Sequence, residues 1–238
     1  AAKLRAGRYD IAFNIAEGAS GRGREAQAPA IFNMVGLPFT GSDETALCIS
    51  LDKALTKRLA ASWGVRVPRG FVLSPADEAL PRGLHYPVIV KPNAEGSSKG
   101  ISGAAVAEDA KGLRAILTEN FRLYGTEMLV EEFLPGREFT LGLLGNGRDL
   151  RAFEPMEVVY DRTTDGPYCV YSYPVKQNFR DYLHYECPAK LEAAQSEEMK
   201  AMARAVFRAL GCRDLARADF RLGADGRPRF IEINPLPG

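Results

Sequence analysis

The 238-residue sequence has almost no net charge and no long apolar run. Its 31 lysines and arginines against 30 aspartates and glutamates give a net charge of +1. This balance argues against a nucleic-acid partner, because dedicated nucleic-acid binders usually carry a basic domain or stripe. No stretch of about 18 apolar residues occurs, which excludes a transmembrane helix. No signal peptide is visible, so we expect a cytoplasmic protein with no membrane partner.

Cysteine and histidine are both scarce. The two histidines, His85 and His184, are too few to favour a histidine-based zinc site. No CxxC pair occurs, so we expect free thiols rather than a disulfide framework. The four cysteines are scattered along the chain, at Cys48, Cys169, Cys187 and Cys212.

The N-terminal stretch predicts a small α/β unit. We expect Tyr9–Ala16 to form a buried strand, followed by a glycine-rich loop, a helix over Ala26–Met34 and a strand over Gly36–Thr40. This order of elements usually forms a parallel sheet. About 45 residues are too few for a complete nucleotide-binding half-fold, so we interpret them as the remainder of a domain.

The rest of the chain predicts alternating helices and strands. We expect a functional loop over residues 161–185, which are polar and aromatic without clear periodicity. Two strands, 128–133 and 138–144, are expected to pair across the turn LPGR. The other predicted elements are a helix from the N-cap Asp43 to about Ser62, a strand over Tyr86–Lys91, a helix from about Asp109 to Glu119, a strand over Phe153–Tyr160, an amphipathic helix over Lys190–Leu210 with Met199, Met202, Val206 and Leu210 inward, and strands over Ala216–Leu222 and Arg229–Asn234.

The last two predicted strands carry three oxygen-bearing side chains. Glu232 and Asn234 share one face of their strand, because side chains repeat every two residues. The hairpin partner could bring Asp219 beside them, and carboxylate and amide oxygens suit a hard cation such as Mg²⁺. The alternative is a solvated acidic face on an exposed hairpin. We expect the site to be ringed by Phe220, Phe230, Ile231 and Ile233.

Two further motifs suit a nucleotide. Lys91 ends a predicted strand and precedes NAEGSSKG, whose small residues let backbone amides approach phosphate oxygens. Alternation places Glu131 and Phe133 on one strand face, where a carboxylate could hold ribose hydroxyls and apolar residues could enclose an adenine ring. Taken alone, the first motif is more typical of a Gly-Ser hairpin, and the second is more typical of an exposed acidic strand edge. Lys53, in DKALTK, is by itself more typical of a solvated helix lysine.

These motifs, in this order, resemble the ATP-grasp superfamily, most closely the D-alanine–D-alanine ligases and their relatives. The stretches that carry the resemblance are GLPFTGSD, LDKALTKRLAASWGVRVP, VIVKPNAEGSSKGIS, LVEEFLPGREFTLGLLG, RALGCRDLARADF and EINPLPG. The resemblance implies a mixed α/β and α+β chain with the ATP-grasp fold, preceded by a partial N-terminal α/β domain. The implied divisions are the remainder of that domain at 1–52, a central ATP-grasp subdomain at 53–133 and a C-terminal subdomain with the metal site at 134–238.

The resemblance also implies roles for individual residues. The implied phosphate ligands are Lys53, Lys91 and Ser97. The implied adenosine pocket comprises Glu131, Phe133, Leu134 and Glu138. The implied ligands of Mg²⁺ or Mn²⁺ are Asp219, Glu232 and Asn234. The groups implied at the reacting centre are Arg217, Ser97 and Lys176, and those implied to hold the amino acids are Glu17 and Gly238.

The implied reaction is ATP-dependent formation of a dipeptide through an acyl phosphate, with release of ADP and phosphate. Three departures from the family lie near the acceptor site: Glu17 replaces a histidine, Arg22 falls near a usual acid, and Gln177 stands where the D-alanine enzymes usually carry tyrosine. One alternative is therefore an ATP-grasp ligase for another amino acid or acceptor, and another is an ATP-binding protein without ligase turnover. The expected partners are small-molecule amino acids, and exposed N-terminal helices could pair two copies into a homodimer.

Overall fold

The computed structural model describes residues 4, 6–75, 79–95, 105–161, 168–170 and 178–237. Within these ranges the chain forms two antiparallel sheets with helices packed against them. The helices are α1 (Gln27–Val35), α2 (Glu44–Leu51), α3 (Lys53–Ser62), α4 (Ala110–Tyr124) and α5 (Ala193–Ala209), with short 3₁₀ turns at Arg24–Ala26, Gly147–Asp149 and Phe179–Asp181. The strands are β1 (Gly70–Leu73), β2 (Val88–Pro92), β3 (Val106–Ala107), β4 (Met128–Glu132), β5 (Glu138–Leu144), β6 (Arg151–Ala152), β7 (Met156–Tyr160), β8 (Leu183–Glu186), β9 (Leu215–Leu222) and β10 (Pro228–Asn234).

The smaller sheet has the strand order β1-β4-β2-β3 and packs against α4. Asp109 caps α4 by accepting a hydrogen bond from the backbone N–H of Gly112, and Gly125 ends the helix with the left-handed φ that glycine adopts without strain. The helix buries Leu113 and Leu117 against β2 and β4. This packing fixes β2, the strand that carries Lys91.

The larger sheet has the order β10-β9-β5-β7-β8, with β6 beside β5. Its core face is filled by aromatic side chains that pack against α5, and the Phe220 and Phe230 rings meet edge-on at 5.9 Å. The four positions expected to face inward from this helix, Met199, Met202, Val206 and Leu210, are all buried. The opposite face of β5, β9 and β10 is left open toward the smaller sheet.

The pairing expected across the turn LPGR is wrong. β4 already has β1 on one edge and β2 on the other, so no edge remains for β5. β5 pairs instead with β7 and β9 in the larger sheet. The intervening residues 133–137 therefore connect the two sheets rather than forming a hairpin. Part of the predicted loop over residues 161–185 is also a strand, because β8 begins at Leu183 and pairs with β7.

The single helix expected from Asp43 to about Ser62 is two helices. Asp43 caps the first, as predicted, by accepting from the N–H of Ala46 at 3.0 Å. Asp52 leaves helical geometry, with φ −84° and ψ 99°, and caps the second by accepting from the N–H of Leu55 at 2.9 Å. The break allows α3 to bury Ala60 in the core of the larger sheet.

The buried N-terminal strand is also wrong. Within the described residues, the stretch Tyr9–Ala16 makes one parallel bridge, between Ala12 and Phe39. Ile11, Phe13 and Ile15 are 59%, 76% and 74% exposed, because no element of the described chain covers that side. Alternating apolar residues identified an extended segment here but not a burying partner. None of the described helices is both long and apolar enough to span a bilayer.

Candidate active site

A cavity of about 370 Å³ separates the two sheets and is lined by residues from both. One wall consists of α3 and the strands β2 and β4, and it carries lysines. The other consists of β5, β9 and β10, and it carries carboxylates. The charged lining residues of the two walls are Lys53, Lys91, Glu131 and Glu132 on the first, and Glu138, Arg217, Asp219, Arg221 and Glu232 on the second.

The lysine wall is a buried network around Glu131. The side chains of Lys57, Lys91 and Glu131 are 7%, 5% and 2% exposed. Lys91 Nζ donates to one carboxylate oxygen of Glu131, and Lys57 Nζ donates to the other. Glu131 thus lines the cavity, but both of its oxygens already have lysine partners. Lys53 Nζ donates to the backbone carbonyl of Glu95, at the start of the glycine-rich segment.

Burial and pairing set the ionisation of this network. Burial disfavours the charged form of every group, and it lowers the pKa of Lys53 because its charged neighbours do not offset the lost hydration. For Lys91, burial is outweighed by Glu131 and Glu232, so its pKa is raised. For Glu131, burial is outweighed by Lys57 and Lys91, so its pKa is lowered. The wall therefore presents charged Lys91 to the cavity.

The carboxylate wall is built by the β9–β10 hairpin. Glu232 lies opposite Asp219 and Asn234 lies opposite Arg217, after a bulge between Phe230 and Glu232. The bulge lets Phe230 enter the core while Glu232 and Asn234 face the cavity, since an extra residue shifts the side-chain alternation. The structure thus brings Asp219, Glu232 and Asn234 to one face.

The apolar ring expected around these three residues is wrong for Phe220 and Phe230, whereas Ile231 and Ile233 do line the cavity. Phe220, Phe230 and Ile233 are buried in the core beneath the sheet, because they occupy the opposite side of their strands. Ile233 contributes to the cavity lining as well, and Ile231 lines it from the same strand. The three oxygen-bearing side chains therefore lie in a polar setting above a separate apolar core.

The carboxylates are held in place by neighbouring donors. Asp219 Oδ1 accepts from Thr140 Oγ1 at 2.6 Å and from Arg217 Nε at 3.0 Å. Glu232 Oε2 lies 3.9 Å from Lys53 Nζ, and although burial favours its neutral form, Lys53 and other cations lower the pKa of Glu232. The buried Nδ2 of Asn234 has no hydrogen-bond partner within the described part of the chain.

The far end of the cavity is apolar and holds one half-buried acid, Glu138. Leu134 lines it, and the Arg221 guanidinium lies 5.0 Å from the centre of the Phe133 ring. Glu138 accepts a hydrogen bond from the Tyr160 hydroxyl at 2.8 Å, and burial raises the pKa of Glu138 despite Arg221 nearby. This end suits a flat aromatic group with a hydrogen-bonding edge.

The opposite end is reached by the glycine-rich N-terminal loop. Glu17 and Glu25 line the cavity there. Arg22, expected near the acceptor, instead forms an ion pair with Asp52 at the junction of α2 and α3. The neighbouring Arg24 donates to the backbone carbonyl of Ala94 at 3.1 Å, so two arginines tie this loop to the lysine wall.

Some predicted site residues lie outside the described ranges. They are Ser97, Lys176, Gln177 and Gly238. Residues at the site that were missed in the sequence include Glu25 and Arg221, which line the cavity, and Lys57, Thr140 and Tyr160, which bond to its predicted residues. Lys57 lies four residues after Lys53, a spacing that places both on one helix face and could have identified it. Nothing local identifies Thr140 or Tyr160, because their partners lie 79 and 22 residues away along the chain.

Similarity to solved structures identifies the fold. The chain matches the D-Ala:D-Ser ligase VanG from Enterococcus faecalis with a TM-score of 0.76 and 24% identity, over 96% of this chain and 64% of that one. It matches the D-alanine–D-alanine ligase of Bacillus anthracis, solved with ATP, with a TM-score of 0.76 and 21% identity, over 100% of this chain and 71% of that one. Two sheets enclosing a cavity in this arrangement are the ATP-grasp fold, as the resemblance implied.

Sequence similarity assigns the chain to one family of proteins with this fold. Residues 71–238 match the family model described as the D-ala D-ala ligase C-terminus. A D-alanine–D-alanine ligase from Bordetella petrii is 36% identical over 239 residues, and one from Cupriavidus necator is 34% identical over 240; each match covers 100% of this chain and 69% of the relative. The chain belongs to the D-alanine–D-alanine ligase family. The expectation of an ATP-dependent ligase is thereby confirmed, and the chain spans roughly two thirds of the length of these relatives.

Proposed function

We propose that this protein joins two amino acids, with D-alanine as the first candidate, by activating the carboxylate of one as an acyl phosphate. The observation that carries the proposal is the cavity between two walls of opposite charge, with Lys53 and Lys91 facing Asp219 and Glu232. A polyphosphate needs cations on one side and a bridging metal on the other. The side chains of this one cavity provide the cations and the oxygen donors that would hold the metal.

The carboxylate wall fits a divalent cation. Asp219, Glu232 and Asn234 offer two carboxylates and an amide oxygen, the donors that Mg²⁺ prefers, and no cluster of three or more His, Cys, Asp or Glu competes among the described residues. We propose that these three hold Mg²⁺ or Mn²⁺. Such an ion would offset the negative charge of the phosphate oxygens during transfer.

The apolar end of the cavity suits adenosine. Phe133 and Leu134 provide apolar surface for the base, and Glu138 is a half-buried acceptor for a hydroxyl or amine. Tyr160 holds that carboxylate in position through its hydroxyl. Both side-chain oxygens of Glu131 accept from lysines, so Glu131 would contribute to the adenosine site through its backbone and its lysine partners.

The reaction has two steps. A substrate carboxylate oxygen attacks the terminal phosphorus of ATP, which breaks the bond to ADP and forms an acyl phosphate. The amine of the second amino acid then attacks the carbonyl carbon, loses a proton and expels phosphate. Lys53 and Lys91 provide fixed positive charge in the first step. Arg217 faces the cavity and would stabilise the oxyanion of the second, a contribution of about 3–4 kcal/mol for one donor in related sites.

Removing the charged lining residues tests this proposal. Asp219→Asn, Glu232→Gln and Lys91→Met should each lower D-alanine-dependent phosphate release by about 100-fold or more, because each removes a charge that acts on the transferring phosphoryl group. Asp225→Asn is the matched control. Asp225 is an acid of the same hairpin, but it does not line the cavity, and it pairs with Arg229 at an N–O distance of 3.0 Å. Normal turnover in the three cavity variants of the full-length protein would refute the assignment.

A second candidate keeps the ATP site and changes the acceptor. Glu17 lines the cavity where the family usually has histidine, and Glu25 lies beside it, which adds negative charge at the amino-acid end. Measuring ADP formation with D-amino acids, L-amino acids and hydroxy acids separates the two candidates. A clear preference for paired D-alanine would eliminate the second.

Several expectations stay proposals. We propose the divisions 1–52, 53–133 and 134–238, supported by the change of sheet between β4 and β5. We propose that Ser97 acts at the phosphates and the reacting centre, Lys176 at the reacting centre and Gly238 at the second amino acid, by family resemblance alone. A cytoplasmic location is supported by the requirement for ATP. A homodimer through α1 is supported by the exposed Met34.

A further inference from the structure

Lys57 is a buried lysine next to the cavity that does not line it. It lies one turn beyond Lys53 on α3, and its side chain is 7% exposed. The described lining of the cavity includes Lys53, Lys91 and Glu131 but not Lys57. A lysine is rarely buried without a partner, because burying its charge is costly. Lys57 therefore does not contact a bound nucleotide directly, and one hydrogen-bonded route from it to the cavity passes through another side chain.

That side chain is Glu131. Its Oε2 accepts from Lys57 and its Oε1 accepts from Lys91, so the carboxylate joins a lysine outside the cavity to one inside it. Strand pairing fixes the carboxylate in this position, since Ile89 lies opposite Glu131 and Lys91 follows two residues later on the same face. An amine donates to a carboxylate whether it is charged or neutral, so the link does not depend on the protonation of Lys57.

We propose that Lys57 is a positioning residue for Lys91, acting through Glu131; this inference rests on the proposed ATP-dependent function. By occupying Oε2, Lys57 restricts Lys91 to the other oxygen and leaves the remaining donors of its ammonium group directed to the cavity. Without Lys57, one oxygen of a carboxylate that is 2% exposed would lose its partner. Glu131 would then take up Lys91 with both oxygens, because an unpaired buried acceptor is costly. A bound nucleotide would then lose the positive charge of Lys91 as a partner.

The main test is Lys57→Met, which keeps an unbranched side chain but removes the donor. We expect the dissociation constant of a non-hydrolysable ATP analogue, measured by titration calorimetry, to increase roughly tenfold. The KM for ATP should rise similarly, with a smaller change in kcat. Lys200→Met is the matched control. Lys200 is equally buried, pairs with Glu154 and Glu197, none of which lines the cavity, and its replacement should leave nucleotide affinity unchanged.

A double-mutant cycle tests the route. In a Glu131→Gln background, Lys57→Met should cause no further loss of nucleotide affinity, because the carboxylate that transmits its effect is gone. An additive loss would show that Lys57 acts on the nucleotide by another path and would overturn the inference. Lys57→Gln keeps an N–H donor and should lower the affinity for the ATP analogue about threefold. This variant replaces Lys57→Met in the test if the methionine variant does not fold.

The outcomes separate this inference from the proposed function. A wild-type protein that binds no ATP analogue would contradict the proposed function, and the inference with it. A wild-type protein that binds, together with wild-type affinity in whichever Lys57 variant folds, would overturn the inference alone. A lower melting temperature with unchanged affinity would show that Lys57 has only a structural role, as expected for Lys200.

Discussion

The two walls of the cavity carry charge in different ways. On the lysine wall, Glu131 is 2% exposed and both of its oxygens are held by buried lysines. On the carboxylate wall, Asp219 and Glu232 are 18% and 31% exposed, and Glu232 is 3.9 Å from its nearest lysine nitrogen. The first wall is therefore satisfied internally. On the second wall, Asp219 is paired with Arg217 through both of its oxygens, whereas Glu232 has oxygens available to a ligand.

This contrast assigns different tasks to the two walls. Buried charges that satisfy one another are fixed before any ligand arrives, which is how preorganised sites stabilise transferring charge. Asp219 and Glu232 are partly exposed carboxylates of like sign, opposite each other on a hairpin, so their repulsion favours a shared cation in addition to the pairing of Asp219 with Arg217. Mutations on the first wall should therefore affect folding strongly, and mutations on the second should affect mainly ligand binding.

The largest effect should come from removing the central carboxylate. Glu131→Ala leaves Lys57 and Lys91 side by side without a counter-charge, and breaking such a buried pair costs about 3–5 kcal/mol. Asp219→Ala, on the other wall, should cost about 1 kcal/mol or less, because Arg217 can turn to water. Urea unfolding without nucleotide or metal measures both.

Equal losses of stability in Glu131→Ala and Asp219→Ala would contradict the contrast between the walls. Glu132→Ala is a useful control for the strand itself. Glu132 neighbours Glu131 on β4 but is exposed, so its removal should leave the free energy of unfolding within about 0.5 kcal/mol of wild type.

The carboxylate wall was predictable from sequence because its signals are local. Alternation on two short strands and the turn GADGRP place Asp219, Glu232 and Asn234 on one face. Even there, the bulge after Phe230 was not visible, and two of the four residues expected to ring the site, Phe220 and Phe230, lie in the core instead. A bulge depends on packing on both faces of a sheet, which one strand's pattern does not contain.

The lysine wall was less predictable because its contacts are distant in the sequence. Glu131 has a pattern typical of an exposed acidic edge, yet its partner Lys57 lies 74 residues away. The same limitation explains the wrong pairing of β4 with β5, since a strand's own residues do not reveal which neighbours already occupy its edges. At Ile11 and Phe13, alternation indicated a strand but not whether anything covers it.

A smaller effect concerns pH and the lysine wall. Burial lowers the pKa of Lys57 from 10.5 to about 7, opposed by Glu131 and reinforced by Lys91, with Glu232 the other charge nearby. Between these pH values the unfolded chain binds more protons at this site than the folded one. The cost of burying Lys57 is therefore fully present below pH 7 and disappears above about pH 10.5.

The free energy of unfolding of wild type relative to Lys57→Met should accordingly increase by about 1–2 kcal/mol from pH 6.5 to pH 8.5. Urea unfolding at the two pH values measures this difference. Lys200→Met should show no such change, since Glu154 and Glu197 raise the pKa of Lys200 above its ordinary value. A relative stability that is flat or falls with pH would mean that burial does not dominate the ionisation of Lys57.

The smallest effect is expected on the carboxylate wall, at Thr140. Its hydroxyl donates to Asp219 Oδ1 at 2.6 Å, and valine has the same shape without the donor. Thr140→Val should raise the Mg²⁺ concentration needed for half-maximal ADP release about threefold, which is the share of one hydrogen bond that orients a ligand. Thr140→Ser keeps the hydroxyl and should behave like wild type. Because the carboxylate wall is partly exposed, both variants should retain wild-type stability within about 0.5 kcal/mol. A large loss of stability in the valine variant alone would show that the carboxylate wall is as tightly coupled to folding as the lysine wall.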